Sequence, residues 1–483
     1  CPMDPVPRRL ARFALVCLLA AAPLAARPSF VLLMADDQGW GDVGYNGHPR
    51  LRTPHLDAMA RAGVRLDRFY AAAPVCSPTR GSVLTGRHPS RYGIDWAFDG
   101  QLPAAEVTLA EALRAAGYRT GHFGKWHLGQ LSRTLRQGRK NKVDPARYSP
   151  PWANGFETCF STEASVPTFN PYFYTDTSQK VEPILGRDAE DVGREHRWNE
   201  SYWTGPGRFV DEDLPGDDSA LITDRALEFI RAAGDQPFLA CVWFHAPHTP
   251  VAAGRADRQP YADLPLAQQH FLGSLAALDA QVGRLRAELR RLGRAEDTVV
   301  VYCSDNGPSY IHPHGSAGPF RGLKGSLLEG GVRVPGIVEW PRGWPGGRVV
   351  TAPLVTSDLY PTLLALAGVR PERQPPLDGR DVRALLAGER AERGEPVFFH
   401  APLRNEGDPW AKPGTFQAAV HTDRRKLITV DSGATWTLHD LAADPREERD
   451  LAAAEPELAR ALRAALEAWR RGCEASAKGA DYR

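Results

Sequence analysis

Several short segments of this sequence are apolar throughout, and they constrain the fold more than any other feature. Residues 298–303 (TVVVYC), 237–244 (PFLACVWF) and 30–34 lack the polar–apolar alternation of a half-exposed strand. Uninterrupted apolar strands are typical of parallel sheets covered on both faces. Apolar residues at three- and four-residue steps over 275–292 predict a helix with one apolar face, and 109–116 and 220–232 are also predicted helices. The alternation predicts an α/β fold with a doubly wound, mostly parallel sheet flanked by helices.

The N-terminal residues have a different character. Three arginines (Arg8, Arg9 and Arg12) precede an apolar run at 13–22 that is short for a membrane span. We therefore expect a signal peptide over residues 1–26, cleaved near Ala26, and a secreted or periplasmic protein with no membrane span in the mature chain. An uncleaved membrane anchor is the alternative.

Two further changes in composition and sequence pattern divide the rest of the chain. Residues 27–395 carry the strand–helix pattern of the main, catalytic domain, but 131–215 are rich in Pro, Gly, Arg and aromatic residues and are predicted to be an irregular insertion or lid. From about residue 395, short strand-like runs and a final helix at about 455–471 predict a smaller C-terminal α+β subdomain over 396–483.

Charge and cysteine content narrow the class of protein. The formal charge is +1, so no global field attracts nucleic acid or an anionic membrane, and any anion specificity must come from a local site. Five cysteines follow residue 26, with no disulfide framework and no CxxC pair. Cys241 and Cys303 lie in strand-like runs and are expected to be inert core thiols. Cys76 differs, because its neighbours are polar and turn-forming.

Polar side chains follow three of the predicted strands. Asp36 and Asp37 follow the predicted strand at 30–34. His245 and His248 follow the one at 237–244, and Asp305 and Asn306 follow the one at 298–303. Ligands collect at the carboxyl ends of strands in such sheets, so one shared site is expected. The Asp and Asn side chains are oxygen donors that suit Ca²⁺ or Mg²⁺ better than zinc. Each pair alone is equally typical of a polar loop cap.

The most specific motif is Cys76-Ser77-Pro78-Thr79-Arg80, followed by 81–87 (GSVLTGR), which predicts the opening of a helix. Cys76 is then near a helix N-terminus, where amide groups and the helix dipole favour an anion. Taken alone, the motif also fits a simple thiol nucleophile, although no Cys–His pairing is evident in the sequence.

This motif resembles the Cys-x-Pro-x-Arg signature of the type I, formylglycine-dependent sulfatases. Four further segments resemble family segments in the same order: 124–129 (GKWHLG), 247–250 (PHTP), 304–307 (SDNG), and 322–325 (GLKG) with 329–335 (EGGVRVP). Agreement of the whole set by chance is far less probable than agreement of one motif. The resemblance extends over nearly all of the chain after residue 27. The full-length pattern is similar to the arylsulfatase A and N-acetylgalactosamine-6-sulfatase branch, and the resemblance implies an alkaline-phosphatase-like fold.

The resemblance also implies roles for individual residues. A formylglycine-generating maturation enzyme would oxidise Cys76 to 3-oxoalanine (formylglycine), whose hydrate is the nucleophile. Arg80 would hold the modified residue. Ca²⁺, or less readily Mg²⁺, would be bound by Asp36, Asp37, Asp305, Asn306 and residue 76. The remaining implied roles are sulfate binding by Lys125 and Lys324, proton acceptance by His127, and protonation of the leaving alcohol by His248 with help from Lys324.

Elementary chemistry supports these roles. A sulfate ester spreads its charge over several oxygens, and its displacement needs cations facing them. A geminal diol has a second hydroxyl that can expel sulfate and regenerate the aldehyde. A sulfated serine has no second hydroxyl and could not release sulfate in this way. A histidine is a suitable acid for the leaving alkoxide.

The substrate is expected to be a sulfated carbohydrate or a small sulfate ester. His312 and His314 lie in a loop expected to line the substrate pocket, although a metal site is an alternative. Six aromatic side chains of the insertion either stack on sugar rings or simply pack together: Trp152, Tyr172, Tyr174, Trp198, Tyr202 and Trp203.

Two other functions fit the same sequence. One is a phosphate or phosphonate monoester hydrolase of the same superfamily, because the core site accepts any tetrahedral oxyanion. The other is an inactive, secreted carbohydrate-binding protein on a sulfatase scaffold. The complete set of site residues favours the sulfatase.

Overall fold

The computed structural model describes residues 27–135, 143–174, 196–403 and 414–482. The predicted signal peptide and its cleavage site near Ala26 lie outside the described residues. Within the described ranges, no helix is both long enough and apolar enough to cross a membrane.

The strands, in chain order, are β1 Ser29–Ala35, β2 Val64–Leu66, β3 Phe69–Tyr70, β4 Arg119–Lys125, β5 Thr158–Thr162, β6 Phe173–Tyr174, β7 His196–Arg197, β8 Trp203–Gly205, β9 Arg208–Phe209, β10 Phe238–Trp243, β11 Thr298–Ser304, β12 Arg333–Val334, β13 Gly336–Glu339, β14 Arg348–Val350, β15 Leu354–Val355, β16 Val397–Ala401, β17 Gln417–His421, β18 Arg425–Thr429 and β19 Thr437–Asp440. The α-helices are α1 Pro54–Ala62, α2 Cys76–Thr85, α3 Leu109–Ala115, α4 Asp218–Ala233, α5 Arg255–Arg258, α6 Leu266–Arg291, α7 Glu329–Val332, α8 Leu359–Ala367, α9 Arg383–Ala387 and α10 Pro456–Ala477.

The main sheet has the strand order β14-β2-β13-β11-β1-β10-β4-β5-β8-β9. Its central strands, from β11 to β5, are parallel, and antiparallel strands are added towards both edges. Alternate residues of β1 enter two different hydrophobic clusters, Phe30, Leu32 and Met34 in one and Val31, Leu33 and Ala35 in the other. Both faces of the sheet are therefore buried, as the continuous apolar strands predict, and the α/β fold class is confirmed.

The region predicted to be an irregular insertion is more ordered than expected where it is described. β5 extends the central sheet in parallel beside β4, and β8 and β9 continue the sheet to its edge. The sequence of β5, TCFST, is polar at three of five positions, so it lacks the apolar run that identifies the other central strands.

The C-terminal subdomain consists of the antiparallel sheet β16-β17-β18-β19 and helix α10. One face of this sheet packs against α10 through Val420, Leu427 and Leu466. The other face packs against the main domain, where Phe399 and Ile428 share a cluster with side chains that include Tyr70 and Leu327. The small sheet is therefore enclosed between its own helix and the main domain.

Candidate active site

Four of the segments that carry predicted site residues follow the carboxyl ends of four neighbouring strands. β11, β1, β10 and β4 are adjacent in the sheet. The segments that carry Asp305, Asp36, His248 and His127 come directly after them in that order. The parallel arrangement brings these segments to one edge, as expected for a doubly wound sheet.

Cys76 is the first residue of α2, which runs to Thr85. The sequence predicted the opening of a helix from residue 81, and the structure starts that helix five residues earlier. Pro78 is compatible with this start because the first-turn amides of a helix have no intrahelical acceptor. The Cys76 side chain is buried, and its sulfur lies within 4.8 Å of carboxylate oxygens of both Asp36 and Asp305.

Three carboxylates pair with three cationic side chains at this point. Asp36 accepts from Lys125 Nζ at 2.6 Å, Asp37 accepts from Lys324 Nζ, and Asp305 accepts from Arg80. Burial raises the pKa of Asp36, but Lys125 and further cations outweigh it and hold that pKa well below its usual range. For Asp305, burial and the neighbouring Asp36 dominate and raise its pKa to about 7.

Arg80 is fully buried and binds Asp305 and the backbone carbonyl of Lys125, at 2.6 and 2.9 Å. Its guanidinium carbon also lies 5.3 Å from the centre of the Trp243 ring. These contacts make Arg80 a support for one of the candidate metal ligands, in addition to the predicted role next to residue 76.

Two buried oxygens in the cluster have no hydrogen-bond partner within the part of the chain that the structure describes: Asp36 Oδ1 and Asn306 Oδ1. Asp37 and Asp305 contribute further buried carboxylates at the same point, and Asn306 Nδ2 donates to Asp37 Oδ1 at 2.7 Å. Buried, unpartnered oxygens are costly unless a cation or another donor satisfies them. The donor set therefore fits a hard divalent metal ion.

His127 and His248 have different surroundings. Neither ring nitrogen of His127 has a hydrogen-bond partner among the described residues, and its ring meets Phe98 edge-on at 4.3 Å. The Nδ1 atom of His248 bonds the carbonyl of Thr249 at 2.6 Å, which leaves Nε2 facing Asp37 at 3.7 Å. Burial lowers the pKa of both rings, that of His248 to about 3.

His245 has a structural role. Its Nδ1 atom bonds Asp218 at 2.8 Å and its Nε2 atom bonds Thr162 at 2.8 Å, so both ring nitrogens are used inside the core. The same neighbourhood contains Tyr202, which is fully buried and stacks on Phe160.

His312 and His314 lie in the loop after Asn306, with ring centres 5.2 Å apart. His312 is 2% exposed and packs on Phe271, and burial lowers its pKa to about 4. His314 is half-buried. Of the aromatic side chains in the insertion, Tyr172, Tyr202 and Trp203 are buried, which favours packing over sugar stacking for these three.

Several supporting residues carry no motif that could have revealed them. Ser165 donates to Asp36 at 3.3 Å. Asp42, which is buried, accepts from the backbone of Gly39 and Ser316 and so ties the loop after β1 to the loop after β11. Such contacts join residues distant in sequence and appear only in the folded chain.

Comparison with known proteins agrees with this geometry. The family model described as Sulfatase matches residues 28–369, and that described as N-sulphoglucosamine sulphohydrolase, C-terminal, matches residues 323–471. Arylsulfatase A from Homo sapiens is 33% identical over 496 residues, covering 94% of this chain and 89% of its own length. N-acetylgalactosamine-6-sulfatase from Mus musculus is 33% identical over 411 residues, covering 80% and 71%. The crystal structure of Ps i-CgsB in complex with k-i-k-neocarrahexaose is 26% identical, with a TM-score of 0.77, and the match covers 92% of this chain and 93% of that one.

The fold and the site together define a hydrolase of the alkaline-phosphatase superfamily. Because the Sulfatase model matches most of the chain, the chain belongs to the sulfatase family, in the branch that includes arylsulfatase A and N-acetylgalactosamine-6-sulfatase. It is an enzyme that hydrolyses sulfate esters. The family and enzyme class expected from the motifs are confirmed.

Proposed function

We propose that this sulfatase releases inorganic sulfate from a sulfated carbohydrate, or from a small aryl sulfate, with a formylglycine hydrate derived from Cys76 as nucleophile. The observation that carries the proposal is the position of Cys76. It is the first residue of α2, and its sulfur lies within 4.8 Å of the carboxylate oxygens of Asp36 and Asp305. A nucleophile at this point is beside a candidate metal site and at a helix N-terminus, both of which favour an anion.

Asp36, Asp37, Asp305, Asn306 and residue 76 would hold the metal. Each of the four oxygen-donor residues is at most 2% exposed. Mg²⁺ usually keeps several waters and takes one or two carboxylates, whereas Ca²⁺ accepts a larger set of protein oxygens. The enclosed set favours Ca²⁺. When bound, a divalent cation supplies positive charge that stabilises the nucleophile and the sulfate oxygens.

The protein charges near the site are balanced, since Asp36, Asp37 and Asp305 face Arg80, Lys125 and Lys324. A divalent cation would give the site a net positive charge that attracts a sulfate ester. Lys125 and Lys324 would then orient the sulfate oxygens, at a point where burial strengthens each electrostatic interaction.

The two histidines would move protons. His127 is buried with both ring nitrogens unpartnered, which suits a base that accepts a proton from the hydrate at residue 76. His248 has Nδ1 fixed by the Thr249 carbonyl, so only Nε2 is directed at the site to protonate the leaving oxygen. A bound anion beside His248 would raise the pKa that burial depresses.

The carbohydrate class is inferred from relatives. N-acetylgalactosamine-6-sulfatase is named for a sugar sulfate, and Ps i-CgsB was solved with an oligosaccharide. His314, which is half-buried in the loop after Asn306, is a candidate substrate contact, and the buried His312 beside it would support that loop. Export by the predicted N-terminal signal would give the enzyme access to extracellular polysaccharides.

Two measurements test the proposal. Hydrolysis of nitrophenyl sulfate is expected to exceed that of nitrophenyl phosphate, and a strong preference for phosphate would favour the phosphatase alternative. Mass spectrometry of the tryptic peptide containing residue 76, from a host that has the maturation enzyme, is expected to show formylglycine. An unmodified thiol in such material would favour the inactive binding protein.

A panel of sulfated oligosaccharides, with released sulfate measured, would identify the substrate. Sulfate release from aryl sulfates but from none of the sugars would contradict the carbohydrate assignment and leave the sulfatase activity in place.

A further inference from the structure

The backbone of the loop that carries Lys324 is hydrogen-bonded to the segment that follows Asn306 and to the segment that precedes Cys76. The N–H of Lys324 donates to the carbonyl of Pro308 at 2.9 Å, two residues beyond Asn306. The N–H of Gly325 donates to the carbonyl of Pro74 at 2.8 Å, two residues before Cys76. The position of the Lys324 ammonium therefore depends on the peptide groups that follow it.

Gln417, at the start of β17 in the C-terminal subdomain, binds these peptide groups from the other side. Its Nε2 atom donates to the carbonyl of Gly325 at 2.6 Å, and its Oε1 atom accepts from the N–H of Leu327 at 2.7 Å. The residue is 2% exposed. One buried amide thus uses both its donor and its acceptor on a single short stretch of backbone.

Lys426, on the neighbouring strand β18, extends the same attachment. Its ammonium donates to the carbonyl of Leu327 at 2.8 Å and pairs with Glu329 and Glu447 at 3.1 and 2.8 Å. Glu447 also accepts from the N–H of Glu329 at 2.8 Å. The Leu327 side chain is fully buried in the cluster between the small sheet and the main domain.

Buried ionic groups contribute little net stability compared with apolar residues of similar volume, because desolvation opposes their attraction. A group of this kind at a domain contact is better suited to fixing one geometry. The geometry fixed here is that of residues 325–329, which directly follow Lys324.

We propose that Gln417 is a positioning residue for the reaction: by holding the peptide groups of Gly325 and Leu327, it sets the place of the Lys324 ammonium at the sulfate. Through Gln417, the C-terminal subdomain thereby contributes to catalysis by a residue that positions Lys324 and does not itself touch the substrate. This inference rests on the proposed role of Lys324.

The test compares Gln417→Met with Arg425→Met. Gln417→Met keeps the side-chain length but removes both bonds to the loop. Arg425→Met is the matched control, because Arg425 lies on the same small sheet and pairs with Asp440 and Glu455 inside the subdomain. All rates are measured on nitrophenyl sulfate and normalised to the formylglycine content of folded protein.

Gln417→Met is expected to lower kcat by roughly 10- to 100-fold, the scale of a misplacement of about 1 Å at an active site. It is also expected to weaken inhibition by inorganic sulfate. Arg425→Met is expected to lower the melting temperature but to keep kcat within about twofold of the unmodified chain. In a Lys324→Met background, Gln417→Met should cause no further loss, because coupled residues are not additive.

A kcat for Gln417→Met within about twofold of the unmodified chain would overturn the proposal, as would a full additional loss in the Lys324→Met background. If Gln417→Met does not fold, Gln417→Glu replaces it. That variant keeps the acceptor for the Leu327 N–H and loses the donor to Gly325, so an intermediate loss is expected and an unchanged kcat contradicts the proposal. Full activity of Lys324→Met alone would instead refute the proposed role of Lys324.

Discussion

Arg80 and Asp305 are joined through a single carboxylate oxygen. Both Nε and Nη2 of Arg80 donate to Asp305 Oδ2, at 3.1 and 2.6 Å, while Oδ1 accepts from the backbone N–H of Asp37 at 3.1 Å. The carboxylate therefore cannot rotate without breaking a bond to one of its partners. A residue of the signature motif on α2 thus fixes a candidate metal ligand that directly follows β11.

Replacement of Arg80 by Lys is expected to lower kcat by on the order of 100-fold, because a single ammonium cannot reproduce the two N–H bonds of the guanidinium. The control is Arg286→Lys, which alters another buried arginine, 6% exposed, with two bonds to Glu339 outside the site. Both variants should lose thermal stability, but only Arg80→Lys should lose turnover per formylglycine. Equal turnover of the two would contradict this role.

Calcium is expected to raise the melting temperature of chelator-treated protein, because a ligand that binds only the folded state stabilises it. Mg²⁺ should raise it less. Asp36→Asn should reduce the response to calcium, since it removes one of the candidate ligands. Asp42→Asn disturbs the same loop without removing a ligand, so it should lower the melting temperature and keep the response. A calcium response unchanged by Asp36→Asn would exclude this metal site.

Gly124→Ala is expected to destabilise the fold by at least about 3 kcal/mol. Gly124 has a φ of +100°, and an added Cβ would lie 1.9 Å from the backbone oxygen of Trp243. Gly117 has a similar φ of +89° but open space at its Cβ. Gly117→Ala should therefore lower the free energy of unfolding only by the cost of a positive φ for a residue with a Cβ, about 1–2 kcal/mol. Urea unfolding of both variants measures the difference, and equal costs would show that the close approach to Trp243 is unimportant.

Low pH should weaken the contact between the main domain and the C-terminal subdomain, because it protonates Glu329. Burial raises the pKa of this carboxyl, but Lys426 and other cations outweigh it and lower the pKa to about 2 from its ordinary 4.5. A depressed pKa in the folded state contributes stability that is complete above pH 4.5 and is lost as the pH falls towards 2.

The difference in unfolding free energy between the unmodified chain and Glu329→Gln should therefore shrink over that window. Glu228→Gln, at an exposed pair with Arg225, should show almost no difference at any pH. If the difference in unfolding free energy for Glu329→Gln stayed constant down to about pH 2, it would contradict the lowered pKa of Glu329.

The sequence was informative where one segment determines its own structure. The uninterrupted apolar runs predicted β1, β10 and β11, and their polar successors predicted a shared edge. The strand β5 was missed because three of its five residues are polar and give no apolar run, and its place depends on pairing with β4. The start of α2 was predicted five residues too late, and Pro78 lies in the first turn of the helix, where proline is tolerated.

Gln417 illustrates the part that sequence cannot supply. It lies in a short strand with no motif, and its importance comes from two backbone groups about 90 residues earlier in the chain. No local pattern encodes a contact of that separation. The same is true of Asp42, whose bond from the Ser316 N–H connects two loops that meet only after the central strands have paired.

The burial of Cys76 in the folded protein limits when another protein can reach its thiol. Only 2% of this side chain is exposed, and the adjoining loop at residue 325 is held by the last sheet of the chain. If, as proposed, a maturation enzyme oxidises Cys76, it would have to reach the thiol before folding is complete. Delayed synthesis of the C-terminal residues would then prolong the interval for modification, whereas rapid folding would leave a copy without the proposed nucleophile.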